Sequence, residues 1–132
     1  MSNILRYLRR YPFSITILLA IIALSFTELS ATSITWHEGM DKLAHFCMYA
    51  GVSAVLWAEF FLNHRHIQPL PLRYGIAGAV VAPIIFSGII EIGQAFLTDN
   101  RTGDTLDFIC NCLGVSVGTL FAWTILRRII KR

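Results

Sequence analysis

Four stretches of the chain are apolar on nearly every face, and short polar segments separate them. They run over about 11–27, 43–62, 74–97 and 106–126. The first, Tyr11 to Thr27, carries no charge. The second is interrupted by His45 and Glu59, the third by Glu91 and Gln94, and the fourth by Asp107 and Asn111. A helix that crosses a bilayer needs about 20 predominantly apolar residues, within a range of about 17–25. A surface helix of a soluble protein would instead show one polar face. The pattern therefore predicts an all-α polytopic membrane protein: a small bundle of four transmembrane helices forming one domain over residues 1–132. A soluble four-helix bundle is the competing reading, and it would leave almost no polar face for water. The first outer loop, Glu28 to Met40, has room for a short interfacial helix, with Trp36 placed to anchor it at the interface. Pro69 and Pro71 mark the turn between the second and third spans. Pro83 falls inside the third, where it removes a backbone donor and leaves a carbonyl for neighbouring helices to satisfy.

Composition agrees with this division: 55% of the 132 residues are apolar and 14% are charged. Soluble domains carry about 25% charged residues. The net charge of +3 changes meaning once the charges are sorted by span. Arg6, Arg9, Arg10, Arg65, Arg73, Arg127, Arg128, Lys131 and Arg132 fall on one side, which is nine of the eleven basic residues. Lys42 and Arg101 fall on the other, with most of the acids. An excess of Lys and Arg marks cytoplasmic flanks, so both termini are expected in the cytoplasm and the membrane is read as the bacterial inner membrane. The basic residues form an orientation signal and no nucleic-acid patch. A cleaved signal peptide ending near Leu29-Ser30-Ala31 is a rival reading of the first span. Its 17-residue apolar run exceeds the roughly 7–15 residues of a signal peptide.

Ionisable groups inside spans are rare, because each costs at least about 2.5–3.5 kcal/mol to bury there. Here they gather near one face. Asp41, His45 and Tyr49 repeat at i, i+4 and i+8 and share one helix stripe, with Lys42 beside it. A plainer reading makes Asp41 a helix cap and Lys42 a snorkelling lysine. Glu91 and Gln94 share a face near the end of the third span, with Ser87 one turn earlier. Arg101 and Asp104 lie in the following turn. Asp107 and Asn111 form a stripe at the start of the fourth span, and Asp104 or Thr105 suits a cap there. Gly114 and Gly118 make a G-x-x-x-G packing face. Glu59, beside His64, Arg65 and His66, is read as snorkelling to an ion pair at the opposite interface.

Positive groups of this cluster could hold a phosphate, diphosphate or carboxylate, with Arg101 suited to bidentate contact. Its acids and His45 could exchange protons. The cluster could equally serve only to clamp helices together. Cys47, Cys110 and Cys112 are read as packing residues, since Cys110 and Cys112 point to different faces. No zinc-protease pattern, phosphate loop or nucleophile elbow occurs, so no metal or cofactor is expected.

The ordered motifs resemble the VanZ-like family of small membrane proteins. The resemblance covers Asp41 to Gly118, about 60% of the chain. It rests on Asp41-Lys42-x-x-His45-Phe46-x-x-Tyr49, Glu91-x-x-Gln94, Arg101, and Asp107-x-x-x-Asn111-x-x-Gly114-x-x-x-Gly118. It implies an envelope role related to that of the namesake, which is associated with low-level resistance to the glycopeptide teicoplanin. Four functions are open at this point. The leading one is binding of an anionic or lipid-linked envelope component, or a glycopeptide-related ligand, at the extracytoplasmic cluster. The others are an intramembrane enzyme acting on a lipid-linked phosphate, a proton-coupled transporter or flippase that would need a homo-oligomer, and a purely structural clamp.

Overall fold

The computed structural model describes residues 3–26, 38–97 and 105–131. They form five helices and short turns, and no strand occurs among the described residues. Helix α1 is Asn3–Arg10 and α2 is Pro12–Phe26. Helix α3 is Glu38–Asn63. Helices α4, Leu72–Leu97, and α5, Thr105–Ile130, each continue through one π-helical turn. At about 1.5 Å per residue, the 26 residues of α3, α4 or α5 exceed the ~30 Å of a hydrocarbon core. The 15 residues of α2 do not. Helix α1 turns away from α2 by 88°, so three helices are long and apolar enough to cross a membrane, or four if that bent pair counts as one span.

The boundaries shift in one way that matters for the cluster. Helix α3 begins at Glu38, so Asp41 and Lys42 lie within its first turns rather than ahead of them. The side chain of Asp41 faces His45 along the helix, which replaces the simple capping role. The proposed interfacial helix and Trp36 fall largely outside the described residues.

Burial on α4 is reversed relative to a soluble helix. Ser87, Glu91 and Gln94 are buried. Ile85, Ile89, Ile92 and Phe96 are 57%, 62%, 62% and 84% exposed. An apolar ridge facing outward with polar groups inside suits lipid and is adverse in water. This weighs against the soluble-bundle reading.

Helices α3 and α5 pack most extensively. At the end of the bundle near the chain termini, Trp57, Phe60, Phe61, Ala79 and Ala122 form the buried core. Trp57 stacks on Phe61 at 5.4 Å and meets Trp123 edge-on at 5.4 Å. Pro83 leaves the carbonyl of Ala79, four residues earlier, without its helical donor. The helix opens into a π turn over Ala77–Val81, and the Ser53 hydroxyl of α3 donates to that carbonyl at 2.8 Å. Having used its proton there, Ser53 accepts from Thr119 at 3.0 Å. Thr119 in turn accepts from the Trp57 indole at 3.1 Å. Replacing Ser53 with alanine breaks this three-helix chain. The expected loss is about 1 kcal/mol, and at most about 2, on the scale of polar contacts in membranes. Thermal unfolding of the detergent-solubilised protein checks it; an unchanged midpoint would show the chain to be idle.

Glu59 is a correction. It does not snorkel but is buried, and its carboxylate accepts the backbone N–H groups of Phe13 and Ser14 at 2.9 and 3.1 Å, together with the Ser14 hydroxyl. It thus caps the start of α2 from a neighbouring helix. His64 instead bonds the Phe60 carbonyl, and Arg65 bonds His66.

Candidate functional site

The polar residues converge where α3 and α5 begin and α4 ends. His45 is their hub. Its Nδ1 lies 3.1 Å from the Asn111 side-chain oxygen and 3.9 Å from Glu91 Oε1. Its Nε2 lies 3.9 Å from Asp41 Oδ1 and 3.8 Å from Asp107 Oδ2. The other Asp107 oxygen is 3.8 Å from Lys42 Nζ. The stripe spacings explain the arrangement: Asp41 and His45 are one turn apart on α3, while Asp107 and Asn111 are one turn apart on α5. Each stripe presents its pair to the other.

Burial sets the chemical character. Asn111 is 1% exposed, and Glu91 and Asp107 are each 8% exposed. Asp41 and Lys42 lie toward the mouth, with 46% and 30% of their side chains exposed. Asn111 donates its amide to Ser87 Oγ at 2.9 Å, which turns its carbonyl oxygen toward His45. Ser87, noted in the sequence only as a neighbour of Glu91, is therefore part of the cluster. Tyr49 sits one turn deeper, buried, with its hydroxyl near Ser87 and Glu91.

Gln94 also reaches across to α2. Its amide donates to the Ser25 carbonyl at 3.0 Å, which satisfies an unpaired carbonyl in the last turn of α2. It shares a helix face with Glu91, yet this contact ties α4 to α2. Arg101 and Asp104 lie outside the described residues.

The close approach of α3 and α5 depends on two glycines. A Cβ on Gly114 would collide with the Phe46 carbonyl and lie 3.0 Å from the Ala50 nitrogen. One on Gly118 would collide with the Ala50 carbonyl. The Phe46 carbonyl belongs to the residue after His45, so this contact sets the distance between the two polar stripes.

Two further features bear on chemistry. A groove of about 320 Å³ runs between α4 and α5, lined by Gly88, Ile92, Ala95, Phe96, Thr105 and Phe108, with Glu91 beside them. It is mostly apolar, and it reaches the cluster through Glu91. Asp41, His45 and Asp107 also form a set able to hold a metal ion, with one donor atom from each within 4.8 Å of the others. Short motifs could not reveal it, because its members come from two helices more than 60 positions apart. The three cysteines are not part of it.

Comparison with curated proteins and with solved structures finds no match. The family model described as VanZ/LLP1 matches residues 3–127, a range that holds all five helix starts and every residue of the polar cluster. The ordered stripes and the nearly full-length match lead to the same conclusion: the chain belongs to the VanZ/LLP1 family.

Proposed function

We propose that this protein is a four-span protein of the bacterial inner membrane, with both termini in the cytoplasm. In this reading α1 and α2 form one bent span, and the polar cluster lies at the extracytoplasmic end. It binds an envelope lipid that carries a phosphate head group. The apolar chain occupies the groove between α4 and α5, and the head group meets Lys42, His45 and Arg101. Orientation is supported by the basic residues of α1 and of the α5 end, which sit at the opposite end of the bundle from His45.

The observation that carries the reading is the placement of Glu91. It lines the apolar groove and lies 3.9 Å from His45. An open apolar groove with Glu91 of the polar cluster in its lining matches an amphiphile better than a free ion or a soluble peptide.

The test uses the full chain in nanodiscs and a polyprenyl phosphate as probe, with the uncharged polyprenol for comparison. Wild type should prefer the phosphate. His45→Ala and Arg101→Ala should each lose at least tenfold in affinity while the unfolding midpoint stays within a few degrees. Gly88→Leu should fill the groove, since a Cβ there already touches Phe108 at 3.5 Å, and should weaken phosphate and alcohol alike. Equal binding of phosphate by wild type and both site variants would defeat the proposal. Teicoplanin susceptibility of cells carrying the same variants gives the cellular readout, which is expected to follow phosphate affinity.

A further inference from the structure

We propose that His45, Asp41 and Asp107 form a binding site for a divalent transition-metal ion. The argument begins with the tautomer of His45. Asn111 donates its amide to Ser87 at 2.9 Å, so its carbonyl oxygen is the atom 3.1 Å from His45 Nδ1. An oxygen acceptor at that distance requires a proton on Nδ1. In the neutral ring the lone pair is then on Nε2.

That lone pair faces two carboxylate oxygens, Asp41 Oδ1 at 3.9 Å and Asp107 Oδ2 at 3.8 Å. Both separations exceed the ~3.2 Å limit of an ordinary N–H···O bond. They fall within the range of ligands that share one ion, because bonds of about 2.0–2.2 Å allow donor separations of roughly 3–4 Å. The surroundings also follow the usual form of a metal-bound histidine: the second ring nitrogen donates to a fixed oxygen, and that oxygen's own group is held in place. Here Asn111 is the oxygen and Ser87 holds it. Asp107 is positioned likewise, with its second oxygen toward Lys42 at 3.8 Å.

One imidazole nitrogen with two carboxylates suits Zn²⁺, Mn²⁺ or Fe²⁺ better than Mg²⁺ or Ca²⁺, which favour all-oxygen shells. Three protein donors leave coordination positions open. A phosphate oxygen could take one, so that the ion carries positive charge to the head group. This last step rests on the lipid-phosphate reading above; the ion site itself does not.

The experiment titrates chelator-stripped full-length protein in nanodiscs with Zn²⁺, by competition with a fluorescent chelator, and repeats it with Mn²⁺. Wild type should bind one equivalent. Asp41→Asn, His45→Gln and Asp107→Asn should each weaken binding at least tenfold, and Asn111→Ala by about 10–100-fold. Asp41 is half exposed, so its variant keeps the test valid if a buried change prevents folding. His64→Ala, at the other end of α3, should bind as wild type does. Absence of Zn²⁺ and Mn²⁺ binding by wild type, or equal binding by the three ligand variants, overturns the site and leaves His45 as a hydrogen-bonding hub. The polyprenyl phosphate assay is then run on stripped and loaded protein. Tighter binding on loading supports the bridging ion. Equal binding in both states overturns the bridge but keeps the lipid reading. One bound ion with no phosphate binding in either state overturns the lipid reading but keeps the ion site.

Discussion

Gly118→Ala and Gly114→Ala should each prevent α3 and α5 from docking, while Gly51→Ala and Gly78→Ala leave the protein intact. The contrast follows from what a methyl group would meet. At Gly118 it is driven into the Ala50 carbonyl, and at Gly114 into the Phe46 carbonyl. Backbone atoms cannot rotate aside as a side-chain tip can, so the helices themselves must separate. Overpacking of this kind costs about 1–3 kcal/mol, and more when nothing can yield; these two sites belong at or above the upper end. Gly51 and Gly78 have open space where a Cβ would stand, and alanine there gains up to ~1 kcal/mol of helix propensity. Small residues at helix contacts matter more in lipid than in water, because no hydrophobic force presses the helices together. Thermal unfolding and size-exclusion profiles of the four variants check the prediction. An unchanged midpoint in Gly118→Ala would mean that the helices are farther apart than described.

The same substitutions should also erase the site. Asn111 lies three residues before Gly114, and His45 precedes Phe46. Separation by even one ångström would take the 3.1 Å contact between Asn111 and His45 out of hydrogen-bond range. Binding of Zn²⁺ or polyprenyl phosphate should therefore fall in Gly114→Ala even where a folded fraction survives.

The sequence made much of this end of the molecule readable, because i, i+4 repeats translate directly into shared helix faces. Asp41 with His45, and Asp107 with Asn111, needed only the helix period. Pro83 was equally informative: the carbonyl it frees is bonded by Ser53. What stayed hidden depends on distant parts of the chain. Gln94 shares a face with Glu91, yet that its amide also meets the Ser25 carbonyl depends on where α2 ends. The Asp41, His45 and Asp107 donor set required knowing that α3 and α5 are neighbours, which the G-x-x-x-G pattern allows but does not specify. The first apolar run, Tyr11 to Thr27, corresponds to helix α2, Pro12–Phe26. The 88° turn lies just ahead of it, between α1 and α2, where no hydrophobic period announces it.

Glu59 caps the start of α2, and Glu59→Ala should release α2 from the bundle. Pro12 opens α2, where a missing N–H does no harm. The N–H groups of Phe13 and Ser14 remain, pointing out of the helix start with no partner in their own helix. A buried carboxylate 45 and 46 positions away along the chain accepts both, along with the Ser14 hydroxyl. Hydrogen bonds to a charged group contribute about 1.5–3 kcal/mol each, and a carboxylate at a helix start adds up to ~2 kcal/mol in a partly buried setting. Since these contributions overlap, the expected loss is about 3 kcal/mol. Glu59→Gln keeps an acceptor but not the charge and should lose about half as much; Ser14→Ala should lose less again. Crosslinking between cysteines placed on α2 and α3, in protein whose three native cysteines have been replaced, reports docking directly. The order Ala, Gln, Ser14→Ala is the signature of a charged cap, because a purely steric role would make Glu59→Gln harmless. If Glu59→Gln crosslinks and melts as wild type does, the charge is not what holds α2. If Glu59→Ala does as well, α2 is held by its apolar contacts alone.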